Sequence, residues 1–471
     1  MRSRLVGVAI AIGLIGLPAA HASAQVPPIP FPGTNPPIVT SDNVTYHGTI
    51  PIDSPGVGGE VVHHADGRTY FYVTGLKGLS IYDVTDDPTA PVLTGVLPFP
   101  HAQNEDLKVS DDGTRAMISA DGALLLPLFP TSRGIHIIDT SDPAAPVLLG
   151  STSTTESNHT AECADPKCEW IYGSSTGAIY DATDPTDIKR LGQWNVDRNG
   201  NNVEGRHALN RDDSGLLISD SNPRLVLDPR DDPANPVLLA QGSRSPNGDG
   251  RLQHNNVRPD SGEWLPRDPE NPDDAIGYTT VETNARSISI IDERPVMREG
   301  EIMIGNSESN LNPTCSNAGG LSTWSMIDFE KGAEMQQLEV FRPLNGTTVD
   351  GSPAVNALGC SGHWFTENDG VVAASWYEHG VRFFDVDKTL GTIEEVGYFQ
   401  PVATQAGAAH WVSDTVVYNV DYARGIDIIS FDRGAPEPAQ KELDRSWLRN
   451  LGTVGNYARA ERYFCGLGGT N

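Results

Sequence analysis

One short phrase recurs along nearly the whole chain, and no other feature restricts the fold as much. It reads Gly78-Leu-Ser-Ile-Tyr-Asp83, Gly134-Ile-His-Ile-Ile-Asp139, Gly177-Ala-Ile-Tyr-Asp181, Arg224-Leu-Val-Leu-Asp228, Ser287-Ile-Ser-Ile-Ile-Asp292, Gly380-Val-Arg-Phe-Phe-Asp385 and Gly425-Ile-Asp-Ile-Ile429, seven copies in all. Most copies run into a polar turn and a second apolar run, as in Thr85-Asp-Asp-Pro-Thr-Ala-Pro-Val-Leu-Thr-Gly95 and Ser141-Asp-Pro-Ala-Ala-Pro-Val-Leu-Leu-Gly150. Asp and Ser side chains bond their own backbone in such turns, and Pro presets φ while supplying no ladder donor, so the segment reads as strand, turn, strand. Upstream lies another β-rich run, such as Thr69-Tyr-Phe-Tyr-Val-Thr74 or Val371-Val-Ala-Ala-Ser-Trp376, itself preceded by a short segment ending in an Asp-Gly-like turn.

Each unit therefore holds four strands in roughly 45 residues, a spacing that buries its sheets only when the units pack radially. The expectation is an all-β, seven-bladed β-propeller over residues 43 to 432. The fifth unit carries an insertion within about 258 to 320, and residues 433 to 471 form a C-terminal tail that docks on the propeller. Residues 43 to 51 look like a fourth strand with no first three before it, and the last unit lacks a fourth. Ring closure by the N-terminal strand follows, because it removes a pair of exposed sheet edges. Composition agrees: 48 Gly and 35 Pro are too many breakers for a helical bundle.

Charge narrows the partners. A formal net charge of −29 repels nucleic acid and anionic lipid, so neither a nucleic-acid partner nor a polybasic membrane contact is expected. Residues 1 to 24 read as a signal peptide: Arg2 and Arg4, an apolar stretch from Leu5 to Leu17, then Ala22-Ser23-Ala24 as cleavage site. Residues 25 to 42 follow as a linker. No later run is long and apolar enough to span a bilayer, so a secreted or otherwise extracytoplasmic monomer is expected. In that compartment five cysteines allow two disulfides. Cys163 and Cys168 flank a short turn and face each other across a hairpin. Cys315 and Cys360 are the second pair by elimination, with Cys465 single, although other pairings remain open.

The phrase, extended to Gly-Leu-x-Ile-x-Asp-x-Ser/Thr-Asp-Pro-x-x-Pro-Val, resembles the LVIVD repeat of extracytoplasmic β-propeller proteins, a family of mostly unassigned activity. The copies at 78 to 95 and 134 to 150 match it closely, and the fifth and seventh are degenerate.

A second periodicity rides on the first. Six residues before the Asp that opens the first hairpin of each unit stand Glu60, Asp106, His159, His207, His254 and His363; the seventh unit has His410 four residues before its Asp. The two-residue difference keeps His410 on the same face of a strand. Twelve His in 471 residues would rarely occupy five of seven preselected positions. Only seven units carry this marker, which argues against an eighth blade. First strands of propeller units line the central channel, so these residues should converge on the axis. Imidazole with carboxylate suits a transition metal rather than calcium. Copper is the first expectation, with iron and zinc as alternatives, and His63, His64 and His101 lie close enough to enlarge the set or form an outer shell. The competing reading makes these histidines architectural, hydrogen-bonding neighbouring blades. Against it, the units with the best repeat phrases carry Glu60 and Asp106, a replacement that suits cation binding better than packing.

Trp364 and Trp411 each follow a marker His and are expected to point away from the channel into inter-blade packing. Glu162, three residues past His159, reads as a solvated or structural acid on the opposite face. Two functions of different class follow. One is a metal-dependent oxidoreductase acting on a small molecule through the channel mouth; nitrous oxide reductase and thiocyanate dehydrogenase, propeller enzymes with copper on axial histidines, are similar in outline though no motif is shared. The other is a binding scaffold for extracellular protein or glycan, with a structural His ring and no catalysis.

Overall fold

A computed structural model describes residues 38–51, 56–64, 66–75, 78–98, 106–121, 133–152, 158–242, 252–262, 290–291, 294–308, 319–342, 361–401 and 404–434. The signal peptide, His101, Cys315, Cys360, Cys465 and the tail from Pro436 onward lie outside these residues.

The propeller is built as the repeat implies. Blade 1 orders its strands Gly56–His63, Thr69–Gly75, Gly78–Asp83 and Val92–Pro98, each antiparallel to the next. Six further sheets repeat the pattern, with inner strands Leu107–Val109, Ala161–Cys163, Leu209–Arg211, Leu252–Val257, Phe365–Asn368 and Ala406–Trp411. The recurring phrase is the third strand, and its alternation explains how a blade buries both faces. In blade 2, Ile135 and Ile137 pack on Ile171 and Tyr180 of blade 3, while Ile138 packs on Tyr72 and Ile81 of blade 1.

The polar turn after the phrase also has a packing role. Asp87, Asp142, Asp184 and Asp232 each accept a hydrogen bond from the backbone N–H two residues on. This turn presents backbone carbonyls to the preceding blade. Tyr172 donates to the Pro233 carbonyl at 2.6 Å and Tyr418 to that of Pro88 at 2.5 Å. A glycine within the fourth strand lies against the same turns: a Cβ on Gly95 would sit 1.9 Å from the Pro143 oxygen, and one on Gly150 would sit 1.8 Å from that of Pro185.

Closure occurs where expected. Val44–Ile50 pairs antiparallel with Gly425–Phe431 and supplies the fourth strand of blade 7. Phe71, Val73 and Tyr82 of blade 1 then pack against Tyr418, Ile426 and Ile428 of blade 7. Within the stretch read as a linker, Ile38–Thr40 pairs with Phe399, Gln400 and Pro401 as a fifth strand on blade 6.

Blade 5 requires a correction. Its third strand is Leu321–Ser325, whereas Ile290–Ile291, within the fifth copy of the phrase, pairs with Arg294–Pro295 in a two-stranded ribbon. The run at 287 to 292 has the right alternation, so periodicity alone could not tell it from the marker. Leu321-Ser-Thr-Trp-Ser325 lacks the closing Asp and one of the aliphatic residues, which hid it. The insertion separates Leu252–Val257 from Ile302–Glu308, inside the interval expected.

Cys163 is bonded to Cys168 with Cα atoms 4.7 Å apart. Asp165 shapes the turn between them, accepting from the backbone N–H of Lys167, Glu169 and Trp170 at 2.7–2.9 Å. Among the described residues no helix is long and apolar enough to cross a membrane.

Candidate functional site

The marker residues divide into two neighbouring groups. His159, His207 and His363, from blades 3, 4 and 6, stand just before the start of their inner strands, His254 of blade 5 lies within its own, and all are buried. Their rings form a continuous arc with centroid separations of 4.9, 3.9 and 4.2 Å in that order. Backbone bonds seat them: His207 N–H donates to the Asp220 carbonyl at 3.1 Å and His363 N–H to that of Ser375 at 2.9 Å. His254 sits where the ladder slips between Gln253 and Asn255, a bulge that re-aims a side chain. The His363 Nδ1 lies on the Gly407 carbonyl oxygen, which can only accept. That nitrogen therefore carries the proton, and Nε2 keeps its lone pair.

Two residues that the sequence reading did not single out complete this tier. Glu308 ends the second strand of blade 5; its Oε1 accepts from the Tyr377 hydroxyl, and its Oε2 lies 3.9 Å from His254 Nε2. Ligand atoms of His207, His254 and Glu308 all lie within 4.8 Å of one another. Tyr377 holds φ at +35° in a tight turn, and its ring is 4.8 Å from that of His363. His159 Nδ1 is 3.7 Å from Asp121 Oδ2 at the other end of the arc. Two imidazoles and a carboxylate at this spacing could hold a metal ion, and His363 and His159 flank them.

Glu60, Asp106 and His410 belong to the second group, organised around Lys108. The Lys108 ammonium is 3.1 Å from Glu162 and 3.5 Å from Asp106, and donates to Asn210 Oδ1 at 3.3 Å. Burial alone would lower its pKa, but Asp106, Glu162 and Glu60 outweigh burial and raise it. Burial pushes Asp106 up to about 8, against the opposing pull of Lys108 and with Glu162 and Glu60 adding to the rise. It pushes Glu60 up to about 7, with Lys108 opposing and Glu162 adding. His410 is held neutral, its pKa lowered to about 3 by burial and then by Lys108. The two-residue offset of His410 explains its place. At about 3.3 Å rise per residue it stands roughly 7 Å further along its strand than the arc.

A cavity of about 760 Å³ opens beside this second group. Glu60, Asp106, Lys108, Glu162, Trp364 and His410 line its inner part, and the turns carrying Asp111, Asp213, Asp260 and Asp369 lie along its walls.

Other expectations meet mixed outcomes. Trp364 is buried but does not leave the channel: its ring is 5.0 Å from that of His254 and 5.9 Å from that of His207, and it lines the cavity. The regular strand begins only at Phe365, so pleat alternation does not govern Trp364. Trp411 does pack between blades, against Phe383 and Phe431, and donates to the Val371 carbonyl at 3.1 Å. Glu162 is a buried partner of Lys108 rather than a solvated acid. His64 packs on Tyr70 and Tyr72 and bonds the Tyr72 hydroxyl at 2.8 Å, while exposed His63 bonds Thr69 at the cavity wall.

No family model matches the chain, and comparison with curated proteins finds no relative. Among solved structures, the β-propeller domain of Cps50 (Swd1) from Myceliophteria thermophila is similar, with a TM-score of 0.50 at 11% identity, covering 83% of this chain and all of that domain. At that identity the likeness concerns the fold alone.

Proposed function

We propose that this chain is an exported propeller of the LVIVD-repeat kind whose histidine arc holds a transition-metal ion, copper in preference, for redox chemistry on a small molecule. The observation that carries this reading is the buried triad of His207, His254 and Glu308, whose ligand atoms fall within 4.8 Å of one another. Architectural histidines need no such convergence, and a carboxylate beside two imidazoles is a ligand set used by copper, iron and zinc. Copper leads because a nitrogen-rich set, with His159 and His363 beside the triad, favours it in the order of divalent affinities. The ion would supply electron transfer or Lewis acidity. Tyr377 orients Glu308, and the Gly407 carbonyl on His363 Nδ1 sets the orientation of that ring.

The test is elemental analysis of protein purified without a polyhistidine tag, with electron paramagnetic resonance for Cu(II). One ion per chain is expected, falling at least tenfold in His207→Ala with His254→Ala while the β-sheet circular dichroism persists. A fully folded protein that takes up no metal would overturn the reading. Export is tested separately by N-terminal sequencing of the secreted product, expected to begin at Gln25.

A further inference from the structure

The Lys108 chamber has a charge imbalance that its own residues leave uncorrected. Glu60, Asp106 and Glu162 surround a single ammonium, and Asp106 and Glu162 are each no more than 5% exposed. Over the whole cavity, nine carboxylates stand among the lining residues against three lysine or arginine side chains. Two of those three, Arg211 and Arg258, are already engaged by Asp111 and Asp212. Buried carboxylates are retained only where cations or donors meet them, so the excess calls for a further cation or for protons.

Two polar atoms at the inner part of the cavity make the same demand independently. Asp106 Oδ2 and His410 Nε2 are buried and make no hydrogen bond to any described residue. Both side chains are more than nine-tenths buried and line the cavity. With the imidazole neutral and Asp106 ionised, both can serve as acceptors, and an N–H-bearing cation supplies the donors they lack. A bare metal ion is a poorer match, because among the described residues the carboxylates of this chamber do not converge as a three-ligand group. Trp364 adds an aromatic wall, where an organic ammonium is better accommodated than a hydrated ion.

We propose that the cavity is a binding site for a small organic ammonium compound, a diammonium in preference. One ammonium group would sit at the end of the cavity that Asp106 and His410 line, and the rest of the ligand would extend along the acidic walls. Once Asp106 and Glu60 release their protons, three carboxylates set against one lysine leave room for two positive charges, so binding should strengthen as pH rises through about 7 and 8, and the acidic walls would steer such a ligand in. This inference does not depend on the metal reading, since none of these groups belongs to the His207, His254 and Glu308 triad.

The experiment is isothermal titration of the full-length protein, as isolated and after dialysis against a chelator, with 1,4-diaminobutane, 1-aminobutane and 1,4-butanediol. Affinity should fall in that order, with the diol at least a hundredfold weaker than the diamine, and should be equal before and after chelation. Asp106→Asn should weaken diamine binding at least tenfold. Glu162→Gln, which keeps shape and hydrogen bonding, serves in its place if Asp106→Asn does not fold. Equal affinity for diol and diamine, undiminished binding in both carboxamide variants, or displacement of the diamine by equimolar calcium would overturn the proposal.

Discussion

At the scale of single residues, Lys108 governs the chamber, and its neighbours make stability depend on pH. Asp106 and Glu60 titrate above their ordinary values because burial disfavours their charged forms. The folded state therefore holds protons that the unfolded chain has released. This contribution is fully present below about pH 4, where both states are protonated, and is lost as pH rises through about 7 and 8. Lys108 opposes the loss on both acids and Glu162 adds to it, with Arg211 and Asp111 acting more weakly on Glu60. Asp106→Asn removes one of the two titrations, so its melting temperature should change less between pH 5 and pH 8 than that of the wild type. The variant should gain on the wild type by on the order of 1–3 kcal/mol at the alkaline end. Parallel melting curves for the two proteins across that range would show that Asp106 is already ionised and that the chamber holds its charge by other means.

At the scale of elements, the repeat phrase encodes both a strand and a contact between blades. Gly95 and Gly150 lie within the fourth strands of blades 1 and 2 where the Pro143 and Pro185 carbonyls of the next blade leave no space for a Cβ. Gly192 occupies the same place in blade 3 but has the Ala234 oxygen at an ordinary 3.5 Å. Gly95→Ala or Gly150→Ala should therefore destabilise by about 1–3 kcal/mol through overpacking, and Gly192→Ala should cost far less. Urea unfolding of the three variants checks this ordering; equal costs would mean that the blades shift to absorb the methyl group. The same elements show where sequence reading works. Recurrence of the phrase located the blades, because a strand buried on both faces needs an apolar run, such as Ile137 and Ile138 at adjacent positions, in every unit. It misassigned the third strand of blade 5, where an equally apolar run sits in the insertion. The marker spacing found the four histidines of the arc because their strands are in register, and it grouped His410, Glu60 and Asp106 with them because spacing along a chain carries no depth along the axis. Glu308 and Tyr377 carried no signal, since they enter from a second strand and from a turn outside the repeated marker.

At the scale of the molecule, the N-terminal segment clasps two blades, and the two contacts should be separable. Val44–Ile50 completes blade 7 with six paired residues, and Asp432 N–H donates to the Asn43 carbonyl at 2.8 Å just beyond it. Ile38–Thr40 adds three pairs to the outer edge of blade 6. Between them Asn43 Nδ2 donates to the Val396 carbonyl at 2.8 Å, and Tyr398 N–H donates to Ser41 Oγ at 2.9 Å. Of the pairings among the described residues, deleting residues 25 to 40 removes the outer one, whose three cross-strand pairs should be worth roughly 1–2 kcal/mol. Deleting residues 25 to 52 strips the fourth strand from blade 7 and bares Gly425–Phe431, a seven-residue edge with apolar Ile426, Ile428 and Ile429. An edge of that length recruits other chains. The longer deletion should therefore elute as larger assemblies than the full chain or precipitate, while the shorter one elutes as the full chain does, with a modestly lower melting temperature. Thermal melts and size-exclusion chromatography of both products distinguish the contributions. A monomeric, cooperatively melting product of the longer deletion would mean that the apolar contact of Phe71, Val73 and Tyr82 with Tyr418, Ile426 and Ile428 closes the ring without the strand.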